Sequence, residues 1–192
     1  MATSRWTKIN FSFFTGEQYE NLPDRCRRRQ LANGLIKLAP AHFSFTPLNI
    51  GDLPLYNQDD DGQPAESVKR LKAAISAADA LLFVTPEYNR SIPGVLKNAL
   101  DHASRPYCQN AWAGKPAGIL GVSVGAIGTA NAQQHLRNVL AYLDAPTMAQ
   151  PEAYVHVREG LFDGQGGIGA GSQPLLQNWM DHYVAWVEKL AK

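Results

Sequence analysis

The chain has 192 residues, 45% hydrophobic and 18% charged, and eighteen Lys and Arg against seventeen Asp and Glu leave a formal net charge of +1. That length is enough for one domain, residues 1–192, with a full core of its own. Charge this balanced gives no electrostatic reason to expect nucleic acid or an anionic membrane as a partner. No run approaches the ~18 apolar residues of a membrane-spanning helix, and the opening MATSRWTKINFSFF has no apolar segment ending in small residues. Cys26 and Cys108 are isolated, which fits a reducing, cytoplasmic setting better than a disulfide framework.

In chain order, Lys8 to Phe14 is apolar and aromatic enough for a first strand, broken by Gly16. Leu31 to Leu38 reads as a helix with Leu31, Leu35 and Leu38 on one face, ending at Ala39-Pro40. Phe43 to Leu48 alternates apolar and polar residues as a second strand, and Leu53 to Pro64 is a polar connection rich in Pro and Asp. Glu66 to Ala77 is helical with Val68, Leu71 and Ile75 inward. Ala80 to Thr85, uncharged and apolar, suits a strand buried on both faces. Pro86 ends it, because it offers no N–H to the ladder. After a polar loop, Val95, Leu96, Ala99, Leu100 and Ala103 recur at helical spacing.

Pro116 to Ser123 is the fourth strand, Ala130 to Leu143 the fourth long helix and Ala153 to Val157 the fifth strand. Glu159 to Gln173 holds six of the sixteen glycines and reads as a mobile loop. Its Gly164, Gly166 and Gly169 follow no strand-turn-helix of a dinucleotide site. Pro174 to Leu190 is an amphipathic helix with Leu175, Leu176, Trp179, Tyr183, Trp186, Val187 and Leu190 on its apolar side. Five alternating strand-helix units imply a parallel sheet with helices on both faces. The expected fold is α/β, a flavodoxin-like three-layer sandwich with a five-stranded parallel sheet in the order 2-1-3-4-5.

The loop after the third strand carries the function. It places Glu87, Tyr88, Asn89, Arg90 and Ser91 at the carboxyl end of a buried parallel strand, where open α/β sheets bind ligands. Pro86-Glu87-Tyr88-Asn89, Ser91, Pro93-Gly94 and Leu96-Lys97-Asn98-Ala99-Leu100-Asp101 resemble the signature of the NAD(P)H-dependent FMN reductase family. Within that family the flavodoxin-like quinone and chromate reductases are most similar. The resemblance implies that Pro86, Glu87, Tyr88, Asn89 and Ser91 line an FMN ring, with backbone groups on its polar edge. After the fourth strand, Ser123, Gly125 and Gly128 match the family's Ser-x-Gly-x-x-Gly, where small residues let backbone N–H groups approach a ligand.

The first loop departs from that family. Its pattern is Gly-Ser-x-Arg-x-x-Ser-x-Asn, whereas Gly16 is followed here by Glu17, Gln18, Tyr19 and Glu20, and later by Arg25, Cys26, Arg27, Arg28 and Arg29. The basic cluster, with Arg27 and Arg28 foremost, either supplies the phosphate contacts by charge and helix dipole or is a solvated helix face. Both readings stay open.

The implied activity is hydride transfer from NADPH or NADH to FMN and on to a small-molecule electron acceptor: a quinone, chromate or free flavin. No side chain is singled out as a catalytic acid or base. A homodimer or homotetramer is implied as well. The alternative is a flavodoxin-like oligomeric binding protein that has weakened or lost FMN through its altered first loop. No metal site is expected. Asn57 to Gly62 opens like a calcium loop but has Val68 at the twelfth position, and the five histidines have no ligand spacing.

Overall fold

A computed structural model of the chain describes residues 9–14 and 27–190. Strands β1 (Ile9–Phe14), β2 (Phe43–Pro47), β3 (Ala80–Thr85), β4 (Ala117–Ser123) and β5 (Tyr154–His156) form one sheet in the order β2-β1-β3-β4-β5. Every pairing is parallel, with Phe11 beside Ala80, Leu81 beside Ala117 and Ser123 beside His156. A helix follows each strand: α1 (Arg27–Leu38), α2 (Glu66–Ala77), α3 (Gly94–Ser104), α4 (Ala130–Tyr142) and α5 (Gln173–Leu190). Parallel neighbours need such crossovers, and the helices they supply cover the sheet's faces.

β3 is buried along its whole length because it has strands on both sides and helices on both faces. Its side chains alternate between two cores. Ala80, Leu82 and Val84 join Leu31 and Leu35 of α1 and Trp179, Tyr183 and Val187 of α5. Leu81 and Phe83 join Leu71 and Ile75 of α2, Leu96 and Leu100 of α3 and Leu136 and Leu140 of α4. Each fully buried Leu or Phe contributes roughly 1.5–3 kcal/mol relative to exposure. Tyr183 lies across β4 at Gly118, where a Cβ would come within 2.7 Å of its ring. Its hydroxyl, fully buried, donates to the Leu81 carbonyl at 2.6 Å.

Several elements differ from the sequence reading. α1 runs from Arg27, ahead of the apolar stripe read from Leu31, so Arg27, Arg28 and Arg29 of the basic cluster lie in its first turn and Arg25 lies outside the described residues. β5 is three residues long, pairing only Tyr154, Val155 and His156 with β4. In α5, Leu175 is 56% exposed and Met180 takes a place in the core, because the inward stripe runs Leu176, Trp179, Met180, Tyr183, Val187. The glycine-rich segment, expected to be mobile, is instead folded on itself. Asp163 Oδ1 accepts the N–H groups of Gln165 (2.7 Å) and Gly167 (2.8 Å), Phe162 bridges to Ile168, and Ile168 packs where α1 has Gly34.

The chain runs from β1 outward to β2, then crosses back to place β3 on the other side of β1. The direction of winding reverses there, so the crevice outside the carboxyl ends of β1 and β3 is the ligand position of such a sheet. The altered first loop, with Gly16, Glu17 and Glu20, lies outside the described residues.

Candidate active site at the carboxyl edge of the sheet

Thr85 closes β3 with its hydroxyl donating to the Pro86 carbonyl at 2.8 Å, both residues buried. Beyond them the chain makes a two-residue turn. Tyr88 N–H donates to Ser91 O at 2.9 Å and Ser91 N–H to Tyr88 O at 3.0 Å, with Asn89 and Arg90 at φ of 51° and 65°. Two successive left-handed residues are the geometry of a type I′ turn, which holds the loop tight at a conformational cost in Arg90. Tyr88 spends its backbone groups on that turn and offers its ring, 51% exposed. The Arg28 guanidinium stands over this ring, 6.0 Å from the centroid. Arg28 thus meets the third-strand loop, while Arg27 is exposed at the start of α1.

The Glu87 carboxylate turns from the loop toward α4. One oxygen accepts the backbone N–H groups of Asn131 (3.0 Å) and Ala132 (3.1 Å) at the start of α4, and the other pairs with Arg90 at 3.1 Å. Ser91 Oγ shares a hydrogen bond of 3.0 Å with His135 Nδ1, also on α4. The sequence reading passed over His135 because it has no signal beyond helical spacing.

The loop after β4 forms the neighbouring lip. Ser123 Oγ accepts the Gly125 N–H at 3.1 Å, and the His156 ring nitrogen Nδ1 donates to the Gly125 carbonyl at 2.9 Å. His156 reaches this loop because β5 pairs Ser123 with it, a relation that no local pattern reveals. Gly125 and Gly128, alike in the sequence, differ in the structure. Gly128 has φ of +59°, and a Cβ there would lie 2.8 Å from the Tyr154 backbone. At Gly125 a Cβ would meet only Ser123 Oγ, at 3.6 Å. Gly128 is therefore required by the fold, whereas among the described residues only Ser123 Oγ borders the room at Gly125. Val124 (73%) and Ile127 (46%) are exposed beside it.

Open backbone at Gly125, apolar side chains around it and an exposed tyrosine ring on the adjacent loop suit one face of a flat, partly apolar heterocycle. A cavity of about 530 Å³ lies elsewhere, lined by Tyr56, Asp61, Lys72, His102 and Arg105. There Arg105 Nε donates to Tyr56 Oη at 2.8 Å and lies 3.6 Å from Asp61, so its charges are largely satisfied internally. It borders neither loop at the sheet edge. Among the described residues no cluster of His, Cys, Asp and Glu could hold a metal ion, and no helix is long and apolar enough to cross a membrane.

Residues 24–159 match the model of the NADPH-dependent FMN reductases. The chain belongs to that family. It is 56% identical over 160 residues to a 2-hydroxy-1,4-benzoquinone reductase of a Burkholderia species, covering 83% of this chain and 87% of that one. With a quinone reductase of Pseudomonas putida it shares 47% over 161 residues, again 83% and 87% of the two chains. Among solved structures, the flavoenzyme NAD(P)H:(acceptor) oxidoreductase FerB of Paracoccus denitrificans superposes with a TM-score of 0.89 at 40% identity, over 96% of this chain and 100% of that one. A WrbA-like flavodoxin of Agrobacterium tumefaciens, 16% identical with a TM-score of 0.59, shares the fold. This FMN reductase therefore has the flavodoxin-like α/β fold, is an oxidoreductase, and uses FMN with NAD(P)H as electron donor. The family match begins at residue 24, inside the segment from Gly16 to Arg29 in which the sequence departs from the family's first-loop pattern.

Proposed function

We propose that this FMN reductase is a quinone reductase, with FMN held between the loop after β3 and the loop after β4. The observation that carries the reading is the pairing of an exposed Tyr88 with a backbone cradle at Gly125, open among the described residues, on the loops that follow two adjacent parallel strands. Quinone as the acceptor rests on the printed activities of the relatives at 56% and 47% identity. Bound FMN supplies the two-electron chemistry, accepting hydride from the nicotinamide and returning it to the acceptor.

The chain's own residues bind and orient. Pro86, Asn89 and the backbone of Glu87 flank the ring on one side, and Ser123, Gly125 and the following turn on the other. Tyr88 walls the slot and Val124 and Ile127 keep its mouth apolar, which strengthens every polar contact made inside it. Ser91 and Gly128 shape the two lips without needing to touch the ligand. Arg27, Arg28 and Arg29 stand in the first turn of α1, at the positive end of its dipole. That charge and dipole favour an FMN phosphate near Arg27, and Arg28 fixes the Tyr88 ring from the same turn. The same reading takes residues 1–192 as one flavodoxin-like three-layer domain that works in the cytoplasm as a homodimer or homotetramer.

The test is direct. Purified protein loaded with FMN should retain yellow colour through dialysis and oxidise NADPH or NADH several-fold faster when 1,4-benzoquinone is added. Protein that stays colourless after incubation with FMN, or whose nicotinamide oxidation ignores the quinone, rejects the proposal.

A further inference from the structure

A flavin slot with two lips on separate loops needs its width fixed, and we propose that Glu87 is the positioning residue that fixes it. Its carboxylate, bound to the first turn of α4, sets the loop after β4 at a constant distance from the loop after β3. The inference rests on the reading of these two loops as the flavin walls. Glu87 is carried by the loop after β3, and its side chain is only 6% exposed. A carboxylate so far withdrawn from water must be compensated by charge and hydrogen bonds. The compensation comes from the other lip: Asn131 N–H at 3.0 Å and Ala132 N–H at 3.1 Å, both on one oxygen, at the positive end of the α4 dipole.

α4 does not cap itself. Thr129, at its N-cap, makes no side-chain cap bond, and its hydroxyl accepts from Gln133 Nε2 at 3.0 Å inside the protein. A Ser or Asp at that position would satisfy the helix locally. Taking the anion from 44 residues away instead joins the loop after β3 to the helix into which the loop after β4 leads. Only five residues, Val124 to Gly128, separate β4 from that N-cap, so a shift of the first turn of α4 carries Gly125 with it.

Two further contacts make the tie rigid. Arg90, held at φ of 65° in the closed turn, occupies the second carboxylate oxygen at 3.1 Å. Ser91 Oγ meets His135 Nδ1 at 3.0 Å, one helical turn beyond Asn131 on the same side of α4. With both oxygens engaged, the Glu87 carboxylate serves the frame and does not act as an acid or base on the substrate.

The experiment compares Glu87→Ala, Glu87→Gln and Ala141→Gly. The last weakens the same helix at an exposed position in its final turn, away from the tie. Hydrogen exchange is followed in the apoprotein over residues 123–132, FMN affinity by quenching of flavin fluorescence, and melting temperature in both forms. Glu87→Ala should speed exchange across 123–132 and raise the FMN dissociation constant about 10- to 100-fold, the cost of a lost buried charge-assisted contact. Glu87→Gln, which keeps one carbonyl for the two N–H groups, should lie between Ala and the parent. Ala141→Gly should lower the melting temperature and change neither exchange over 123–132 nor FMN affinity.

Wild-type exchange and affinity in Glu87→Ala would overturn the proposal. So would changes no larger than those of Ala141→Gly at equal loss of melting temperature. If the parent bound no FMN, the functional reading would fall, while exchange in the apoprotein would still decide whether Glu87 holds the loop.

Discussion

Gly125 and Gly128 occupy equivalent-looking places in one sequence motif, and the structure assigns them opposite responses to an added methyl group. In Gly128→Ala the new side chain sits at φ of +59°, with its Cβ 2.8 Å from the Tyr154 carbonyl carbon and 3.1 Å from the Val155 nitrogen. The left-handed backbone costs about 1–2 kcal/mol for a residue with a Cβ. Overpacking against backbone that cannot rotate away adds about 1–3 kcal/mol. For a chain of this size each kcal/mol moves the midpoint by ~2–4 °C, so the apoprotein should melt on the order of 10 °C lower. In Gly125→Ala the methyl meets only Ser123 Oγ at 3.6 Å, an ordinary contact, and the backbone is not left-handed. Apoprotein stability should change by less than about 1 kcal/mol, with a small gain possible from a stiffer unfolded chain. FMN affinity should nonetheless fall about tenfold or more, since the methyl fills room that the ring would use. Calorimetry of both apoproteins and FMN titration by fluorescence quenching read the two effects separately. An unshifted Gly128→Ala midpoint, or a Gly125→Ala protein with full FMN affinity, would refute the division of roles.

Tyr183→Phe deletes a buried hydroxyl that donates to Leu81 O at 2.6 Å and should cost about 1–2 kcal/mol in denaturant unfolding. Burial raises the Tyr183 pKa well above the ordinary phenol value, so the folded state holds its proton when the unfolded state has lost it. That contribution is complete below about pH 10 and declines above it, and Tyr183→Phe should flatten the alkaline loss of stability. Arg28→Ala removes a cation–π contact 6.0 Å from the Tyr88 centroid, worth about 0.5–1 kcal/mol, and should weaken FMN binding roughly two- to fivefold with little change in melting. Arg90→Gly relieves a left-handed residue but loses an ion pair whose Arg is 70% exposed; the two nearly cancel, so stability should stay within about 0.5 kcal/mol. Hydrogen bonds from Gly167 and Gln165 lower the Asp163 pKa, so the 163–167 turn is held above the ordinary carboxylate pKa and released as pH falls through the folded value. Exchange of the Gly167 amide should therefore show extra loss of protection in acid, and Asp163→Asn should remove that pH dependence.

Short-range patterns were legible without coordinates. The limits of α2 at Glu66 and Ala77 and of β3 at Ala80 and Thr85 follow from helical spacing and from an uncharged apolar run stopped by Pro86. Both signals are local steric and burial constraints, expressed within a few residues of themselves. The basic cluster reads as the start of the first helix, and Arg27, Arg28 and Arg29 form the first turn of α1; the apolar period alone shows the helix only from Leu31. The glycine-rich segment was misread because composition does not show that Asp163 folds it back or that Ile168 finds the space left by Gly34.

The sequence by itself determined which two loops carry the candidate site, since the residue types of residues 86–91 and 123–128 are written in the chain at fixed local spacing. Only the tertiary structure decided what each residue does there. Glu87 meets α4 44 residues further on, and His156 meets Gly125 31 residues back. Those meetings are set by strand order and register, which bring distant segments to one edge of the sheet. They depend on the whole sheet closing around β3, and no window of sequence contains them.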